Sequence, residues 1–317
     1  CTLADSKDLP TTNHELDDTR HQSSHWREAA RDAGLLAETY EEACMFIHVN
    51  AHAHTQPCAT VSRLWNEGRN HMMMEFTDWS RWVRDMRPII SNSYAMEGAS
   101  NQHTCYYRSE FDMSVPLPPN FVFPELAPVL PLDREYFLTF KGTLYLGGHG
   151  IEERLSLQSL HDEANGVVVA LKCHDLHGQQ LLPQNYKFCQ KMGARNTSFD
   201  YKSLMSSTFG LIPGGRSPGT FRLGEVMSAG VIPVFVVRDW VRPFREQIDW
   251  PSFSFVFTPD EVDTIMLPTL RAVPPETLKE MQQKTLDAYW KIFGGATDYS
   301  VIARNTIEQL AQRLGHH

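Results

Sequence analysis

In the second half of the chain, short apolar runs typical of buried strands alternate with segments whose apolar residues have helical spacing. Short runs of β-branched and aromatic residues predict buried strands at 136–141, 166–172, 207–213, 231–237 and 252–258. Apolar residues at helical spacing predict helices at 151–160, 200–206 and 218–229, and longer amphipathic helices at 274–293 and 299–314. Strands that alternate with helices in this way are typical of a parallel, doubly wound sheet.

The first half shows the same alternation less regularly. It predicts helices at 26–44 and 58–64 and strands at 44–49, 72–76 and 111–117. Residues 1–24 are polar without an apolar period, and a Pro-rich connector occupies 116–131. The predicted organisation is a tail or linker (1–24), a first Rossmann-like lobe with the connector (25–131), a second lobe (132–273) and C-terminal helices (274–317).

Composition narrows the class of protein. The 317 residues carry 29 Lys and Arg against 38 Asp and Glu, a net charge of −9, and 42% are hydrophobic. This balance excludes a disordered chain and a general polyanion binder, so no nucleic-acid partner is expected. The longest apolar stretch, 230–237, is far below the roughly 18 residues that a membrane helix needs. Because the sequence begins with Cys1, we expect that an amino-terminal anchor has been lost from it.

The six cysteines form no Cys-x-x-Cys pair and no zinc-type spacing. Cys44 with Cys58, and Cys173 with Cys189, each close a short loop. They form disulfides if the compartment is oxidising, and are buried thiols if the protein is cytosolic. A glycosylation sequon at 196–198 favours the oxidising compartment.

No metal or other cofactor is predicted. No Asp-x-Asp triplet is present, so the usual carboxylate handle for Mn²⁺ or Mg²⁺ is missing. His48, His52 and His54 near Cys58 resemble a metal cluster, but no acidic partner follows them.

The strongest candidate for chemistry is a Gly-rich loop that follows the predicted strand 207–213. Pro218 near the first helical position and Ser217 as N-cap predict that a helix begins there. Ligands of open α/β sheets bind beyond the carboxyl ends of the strands, where a helix amino terminus attracts phosphate. Arg222 and Glu225 lie three residues apart on one helix face, suited to phosphate and to ribose hydroxyls. The alternative is a helix-initiating turn with a structural Arg–Glu pair.

Three further cations are expected near this loop. Lys141 ends the predicted strand 136–141, Arg154 begins the next helix and Arg216 lies in the loop itself. For Lys141 and Arg154 the alternative is ordinary surface charge.

These residues and several strings in order resemble the exostosin family, glycosyltransferase family 47, and most closely the heparan sulfate exostosins. The resemblance extends from about residue 41 to 250. Its parts are Glu42-Ala43-Cys44-Met45-Phe46, Trp65-Asn66-Glu67-Gly68-Arg69-Asn70-His71, Phe111-Asp112-Met113-Ser114-Val115-Pro116-Leu117, Phe137-Leu138-Thr139-Phe140-Lys141-Gly142, the loop 217–225, Gly230-Val231-Ile232-Pro233-Val234, and Pro243-Phe244 with Ile248-Asp249-Trp250.

The resemblance implies an α/β fold of glycosyltransferase B type, in which two Rossmann-like lobes with parallel sheets face each other across a cleft. The second lobe would hold a UDP-sugar, and the first would present a glycan acceptor for inverting, metal-independent transfer. Glucuronic acid is the favoured donor sugar, with galactose, xylose and arabinose as alternatives. Another alternative is a non-catalytic partner that stabilises or positions a catalytic paralogue.

The resemblance also implies a place in the cell. A Golgi or endoplasmic reticulum lumen is expected, with a type II membrane anchor absent from this sequence. A homodimer, or a heterodimer with a related transferase, is a further expectation.

The resemblance implies roles for residues of both lobes. In the second lobe, Arg222 and Glu225 would contact diphosphate and ribose. The remaining donor-site residues would be backbone donors and cations, namely Gly219, Thr220, Lys141, Arg154 and Arg216.

Asp78, just after the Arg69-Asn70-His71 string, is the first candidate for the general base. Glu75 and His71 are the other candidates, and the alternative for Asp78 is a surface residue in a loop. Trp65, Trp79, Trp82 and the Met run 72–74 either line a sugar subsite or pack in the core.

The sequence departs from the family pattern in three places. Gly214 stands where exostosins usually have a basic residue. The first strand of the amino-terminal lobe is missing from residues 1–30. No second catalytic module follows, so this chain alone is not expected to polymerise a two-sugar repeat.

Overall fold

A computed structural model describes residues 2–5, 16–39, 41–49, 65–76, 93–145, 150–174, 189 and 195–315. The chain forms two compact units. The first contains Cys1–Pro118, Val241–Phe244 and Asp298–His317, and the second contains Pro119–Trp240 and Arg245–Thr297. No helix in the described part is both long and apolar enough to cross a bilayer.

Each unit is built on a parallel sheet. The first sheet has the strand order β1 (Thr2–Asp5), β2 (Ala43–Val49), β3 (His71–Glu75), β4 (Met96–Ala99) and β5 (Met113–Ser114). The strands of the second unit are β6 (Tyr136–Tyr145), β7 (Val167–His174), β8 (Ser207–Pro213), β9 (Ile232–Val236) and β10 (Phe255–Phe257). The predicted α/β class, with a Rossmann-like parallel sheet in each of two units, is confirmed.

Helices flank these strands. The α-helices are α1 (Leu16–Asp32), α2 (Ile151–Ser156), α3 (Arg222–Ser228), α4 (Leu267–Arg271), α5 (Pro275–Phe293) and α6 (Ser300–Arg313). Short 3₁₀ turns lie at Asn66–Gly68, Pro124–Leu126, Pro131–Asp133, Leu157–Leu160, Glu163–Asn165, Ser203–Met205, Trp250–Ser252 and Pro259–Glu261, and a π-helical turn lies at Val262–Met266.

The amino-terminal segment is not the tail or linker that its sequence predicted. β1 pairs in parallel with β2, from Thr2↔Ala43 to Asp5↔Ile47, and α1 begins at Leu16. The strand that had seemed missing from residues 1–30 is therefore present. Four residues are too short to show a period, and the strand is formed by backbone hydrogen bonds to a segment about forty residues away.

The last helix belongs to the first unit. Its preceding residue, Tyr299, contacts Trp26 of α1 with ring centroids 5.6 Å apart, and α6 packs on α1. Arg313 Nη1 donates to the carbonyl of Phe111 at 2.8 Å. The predicted C-terminal segment 274–317 is thus divided, with α5 in the second unit and α6 in the first.

The strand order of the second sheet reverses beside β6. Its order is β10-β9-β8-β6-β7, so the chain adds β7 on one side of β6 and β8 to β10 on the other. β6 and β8 pair only as far as Thr139↔Gly210, although β6 continues to Tyr145 alongside β7 and β8 continues to Pro213. The reversal of strand order makes the gap between β6 and β8 the topological switch point, where open α/β sheets bind ligands, and the two strands separate there at their carboxyl ends.

Several predicted elements are shorter or longer in the structure. The helix predicted from 218 begins only at Arg222, and 200–206 contains a 3₁₀ turn rather than an α-helix. The strand predicted at 111–117 is reduced to Met113–Ser114, because it runs into prolines that cannot donate to a ladder. Met72, Met73 and Met74 are fully buried, so this run packs in the core of the first unit.

The predicted disulfide between Cys173 and Cys189 is present. Cys44 is also disulfide-bonded, and its predicted partner Cys58 lies outside the described residues. The sequon does not strengthen the case for the oxidising compartment, because Asn196 is buried and its amide donates to the carbonyl of Ala170 at 3.1 Å.

Replacing Cys173 and Cys189 together with Ser is expected to lower the free energy of unfolding by about 3 kcal/mol, because the bridge restricts the unfolded chain over a separation of 16 residues. Urea denaturation measures the change. Cys105→Ser is the matched control, since Cys105 is a free and exposed thiol. Equal loss in both variants would contradict the assignment of the stabilisation to the bridge.

Candidate active site

Arg222, the first residue of α3, fills the gap between β6 and β8. Its Nε donates to the carbonyl of Leu211 on β8 at 2.9 Å. Its two Nη atoms donate to the carbonyls of Thr139 and Lys141 on β6 at 3.4 and 3.5 Å. The guanidinium therefore lies at the switch point of the sheet, in the position where a bound anion would meet fixed positive charge.

Tyr201 joins Arg222 to Glu225. The tyrosine hydroxyl donates to Glu225 Oε2 and accepts from Arg222 Nη1 at 3.2 Å. Burial raises the pKa of Glu225, while the Tyr201 hydroxyl, the charge of Arg222 and the N–H groups of Asn120 and Phe121 oppose that rise. Burial likewise raises the pKa of Tyr201. The predicted Arg–Glu pair thus shares a tyrosine that the sequence pattern did not indicate, since Tyr201 stood only at the start of a predicted helix.

Backbone contacts shape the Gly-rich loop. Gly150 N–H donates to Gly215 O at 2.6 Å, and Gly215 N–H donates to Ser217 O at 2.9 Å. A Cβ on Gly150 would lie 2.3 Å from the carbonyl of Gly214, so only glycine allows this approach. Gly219 lies buried in the loop, and Thr220 Oγ1 accepts the N–H of Arg222 at 3.3 Å. Ser217 is therefore not the N-cap that the sequence predicted.

Two of the three further cations brace this loop. Arg154 is buried, and its guanidinium donates to the carbonyls of Gly214, at 2.7 Å, and Thr143. The Tyr145 ring lies 5.8 Å from Arg154 Cζ and 5.0 Å from Arg216 Cζ. Arg154 is therefore a part of the loop framework and not a surface charge.

Lys141 lies within β6 rather than at its end. Its Nζ donates to the carbonyl of Phe199 at 2.6 Å, and its own carbonyl accepts from Arg222. This places Lys141 beside Arg222, whereas Arg154 and Arg216 lie along the loop.

Some buried polar atoms beside the loop have no hydrogen-bond partner among the described residues. They include Ser217 Oγ and Glu153 Oε2. The Glu153 carboxyl group lies next to the loop, since a Cβ on Gly214 would be 3.7 Å from Glu153 Cδ. An unsatisfied buried polar atom costs about 1–3 kcal/mol, which a bound polar group could offset.

The structure describes two of the three candidate bases. His71 opens β3 and is 2% exposed, with its Nδ1 2.7 Å from Nε2 of the buried His48. Glu75 is the last residue of β3, so it lies at the carboxyl edge of the sheet, where sheets of this kind bind ligands. Both side chains are buried, but His71 lies at the amino end of β3, opposite to that edge, which does not favour a base role. Asp78, like Trp79, Trp82, His52 and His54, lies outside the described residues and stays a prediction.

The string that precedes His71 forms a tight turn. Asn66, Glu67 and Gly68 have φ values of 41°, 55° and 82°. A Cβ on Gly68 would lie 2.8 Å from the backbone nitrogen of Ala95. Trp65 covers His71 with ring centroids 4.7 Å apart. The described contacts of this string are those of a turn that leads into β3.

The buried histidine pair predicts a pH-dependent stability. Burial, and secondarily the charge of His71, lowers the pKa of His48 from 6.5 to about 3. The unfolded chain therefore binds a proton below pH 6.5 that the folded chain does not, so stability is lost as the pH falls from 6.5 towards 3, by up to about 1.4 kcal/mol per unit. Urea denaturation across this range is expected to show the loss, with a smaller slope for His48→Gln. The control His103→Gln should leave the slope of stability against pH as it is in the wild type. A slope that is unchanged by His48→Gln, and reduced by His103→Gln, would contradict this assignment.

Known proteins resemble this chain over most of its length. It is 30% identical to Exostosin-1a of Danio rerio over 270 residues, which cover 80% of this chain and 35% of that protein. It is also 30% identical to Exostosin-1 of Drosophila melanogaster over 262 residues, covering 79% and 33%. The chain thus spans about a third of the length of these relatives.

A solved structure is similar at low sequence identity. It is an alpha,alpha-trehalose-phosphate synthase (UDP-forming) from Burkholderia vietnamiensis, 12% identical, with a TM-score of 0.44 and coverage of 96% of this chain and 79% of that one. Among protein families, residues 18–272 match the Exostosin GT47 domain. The chain therefore belongs to the exostosin family, glycosyltransferase family 47.

Proposed function

We propose that this chain is a UDP-sugar-dependent glycosyltransferase that moves a sugar to a glycan acceptor with inversion. The observation that carries the proposal is the guanidinium of Arg222 at the switch point of the second sheet, joined through Tyr201 to the carboxylate of Glu225. A fixed cation beside a fixed hydrogen-bond acceptor suits a nucleoside diphosphate, which presents anionic oxygens next to ribose hydroxyls.

The proposed chemistry divides between donor and acceptor groups. Arg222, with Lys141 and Arg216, would neutralise the departing diphosphate, while the N–H groups of Gly219 and Thr220 would contact its oxygens. A general base would take the proton of the acceptor hydroxyl as its oxygen attacks the anomeric carbon and the bond to the diphosphate breaks. Asp78 remains the first candidate for that base, and Glu75 is the described alternative.

Metal independence is part of the proposal. Within the described part of the chain, no group of three or more His, Cys, Asp or Glu side chains could hold a metal ion. We expect transfer to continue in the presence of EDTA. Restoration of an EDTA-inhibited reaction by Mn²⁺ or Mg²⁺ would contradict this.

A donor screen tests the function. UDP release is measured from the UDP derivatives of glucuronic acid, galactose, xylose and arabinose, with and without oligosaccharide acceptors. We expect the largest release with UDP-glucuronic acid and acceptor, and NMR should show a product with inverted anomeric configuration. Retention of configuration would contradict inverting transfer, and a different preferred donor would correct only the sugar.

The second candidate function is that of a non-catalytic partner of a catalytic paralogue, as a homo- or heterodimer. It is favoured by the bonds of Arg222 to main-chain carbonyls, because an arginine that braces two strands has a structural role without any ligand. Intact UDP binding without turnover, together with activation of a related transferase, would support this reading. Turnover by the isolated chain would exclude it.

We propose the lumen of the Golgi or endoplasmic reticulum as the site of action. The disulfide between Cys173 and Cys189 supports an oxidising compartment. Immunofluorescence of the protein in its own cells, against Golgi and cytosolic markers, tests the location.

A further inference from the structure

The segment that opens the second unit is fixed along α3. Gly224 allows this approach, because a Cβ there would lie 2.9 Å from Pro119 Cβ. The N–H of Phe123 donates to Ser228 Oγ at 3.0 Å, one turn further along the helix. Between these two contacts, the N–H groups of Asn120 and Phe121 favour the charged form of the Glu225 carboxylate and so oppose the rise of its pKa. The backbone of 119–123 is therefore held against α3 at both of its ends.

Phe121 is exposed although its backbone is held. Its side chain is 58% exposed, whereas Phe123, two residues later, is buried. The Phe121 ring centroid lies 6.1 Å from that of Tyr201, and the same Tyr201 ring lies 5.7 Å from Arg222 Cζ. The aromatic face of Phe121 is thus presented to solvent at the end of a row that runs through Tyr201 to the Arg222 guanidinium.

The three side chains that contact Tyr201 suit the three parts of a nucleoside diphosphate. Arg222 offers charge for the diphosphate, Glu225 offers acceptor oxygens for ribose hydroxyls, and Phe121 offers an exposed apolar ring. An aromatic face stacks on a nucleobase, and a ring whose backbone is already fixed loses little conformational freedom on binding. A buried ring at this position could not make that contact.

We propose that Phe121 is the platform on which the uracil base of the donor stacks, carried by a backbone that packs on Gly224 and bonds to Ser228 of α3. This inference rests on the proposed function, and it adds a residue for recognition of the base.

The test is isothermal titration calorimetry of the intact chain with UDP and, separately, with inorganic pyrophosphate. Phe121→Ala is expected to weaken UDP binding about tenfold, and to leave pyrophosphate binding unchanged because that ligand has no base. Phe121→Trp should bind UDP as tightly as the wild type. Leu132→Ala is the matched control, since Leu132 is a 62% exposed apolar residue elsewhere in the same unit, and should change neither affinity.

The outcomes separate this inference from the function on which it rests. UDP binding that is weakened by Arg222→Met but unchanged by Phe121→Ala would overturn the stacking role and leave the proposed function intact. Equal weakening of UDP and pyrophosphate by Phe121→Ala would also overturn it, because the ring would then act through the shape of the site. A wild-type chain that binds no UDP would overturn both.

Discussion

Replacement of Arg222 by Met is expected to weaken UDP binding, and to reduce any sugar transfer, by about a hundredfold or more. Loss of one preorganised charged donor typically costs about 10²–10³ in rate, and Arg222 lies at the switch point between β6 and β8. Met keeps most of the length and apolar stem of the side chain, so the change removes mainly the charge and its hydrogen bonds. Calorimetry with UDP and initial rates with the preferred donor measure the two effects.

The control must account for the structural contacts of Arg222. The wild-type guanidinium bonds to carbonyls on both strands, so Arg222→Met should also lower stability modestly, and circular dichroism must show a folded chain. Arg238→Met is the matched control, because Arg238 pairs with Asp260 on the surface at 3.0 Å. A folded Arg222→Met chain that binds UDP like the wild type would refute the assigned site.

Replacement of Arg134 by Met is expected to lower the free energy of unfolding of the second unit by at least about 3 kcal/mol. The side chain of Arg134 is buried, and burial lowers its pKa to about 10, so it stays charged at neutral pH. Its guanidinium donates to five main-chain carbonyls, those of Leu126, Val129, Met205, Ser207 and Ala229. Removing the donor would leave these carbonyls without that hydrogen bond in the interior.

The position of those carbonyls makes Arg134 a brace for the candidate site. They belong to the connector, to Met205 and Ser207 at the start of β8, and to Ala229, the residue after α3. Urea denaturation compares Arg134→Met with Arg271→Met, because Arg271 is exposed and covers the ring of Phe137 at 4.9 Å. Equal stability losses for the two variants would show that the buried hydrogen bonds contribute little beyond the packing of the arginine stem.

The longer helices and strands could be predicted from the sequence. The bounds predicted for strands β6 to β9 and for helices α5 and α6 are close to those in the structure. A buried strand or an amphipathic helix repeats its apolar positions over many residues, so its pattern is clear. The short strands β1 and β5 were not predicted correctly, since two to four residues carry no period. The start of α3 was misplaced because proline and serine at 217–218 also suit a loop.

The same division holds at the candidate site. The sequence by itself determined the family, the alternation of strands and helices, and the loop that carries Arg222 and Glu225, because spacing along the chain encodes those features. Only the tertiary structure decided that Arg222 bonds to Thr139, 83 residues away, and that Tyr201 joins it to Glu225. It also decided that Phe121 stands exposed beside them. Such contacts join residues that are distant in sequence, so they depend on strand order and side-chain packing, which no local pattern records.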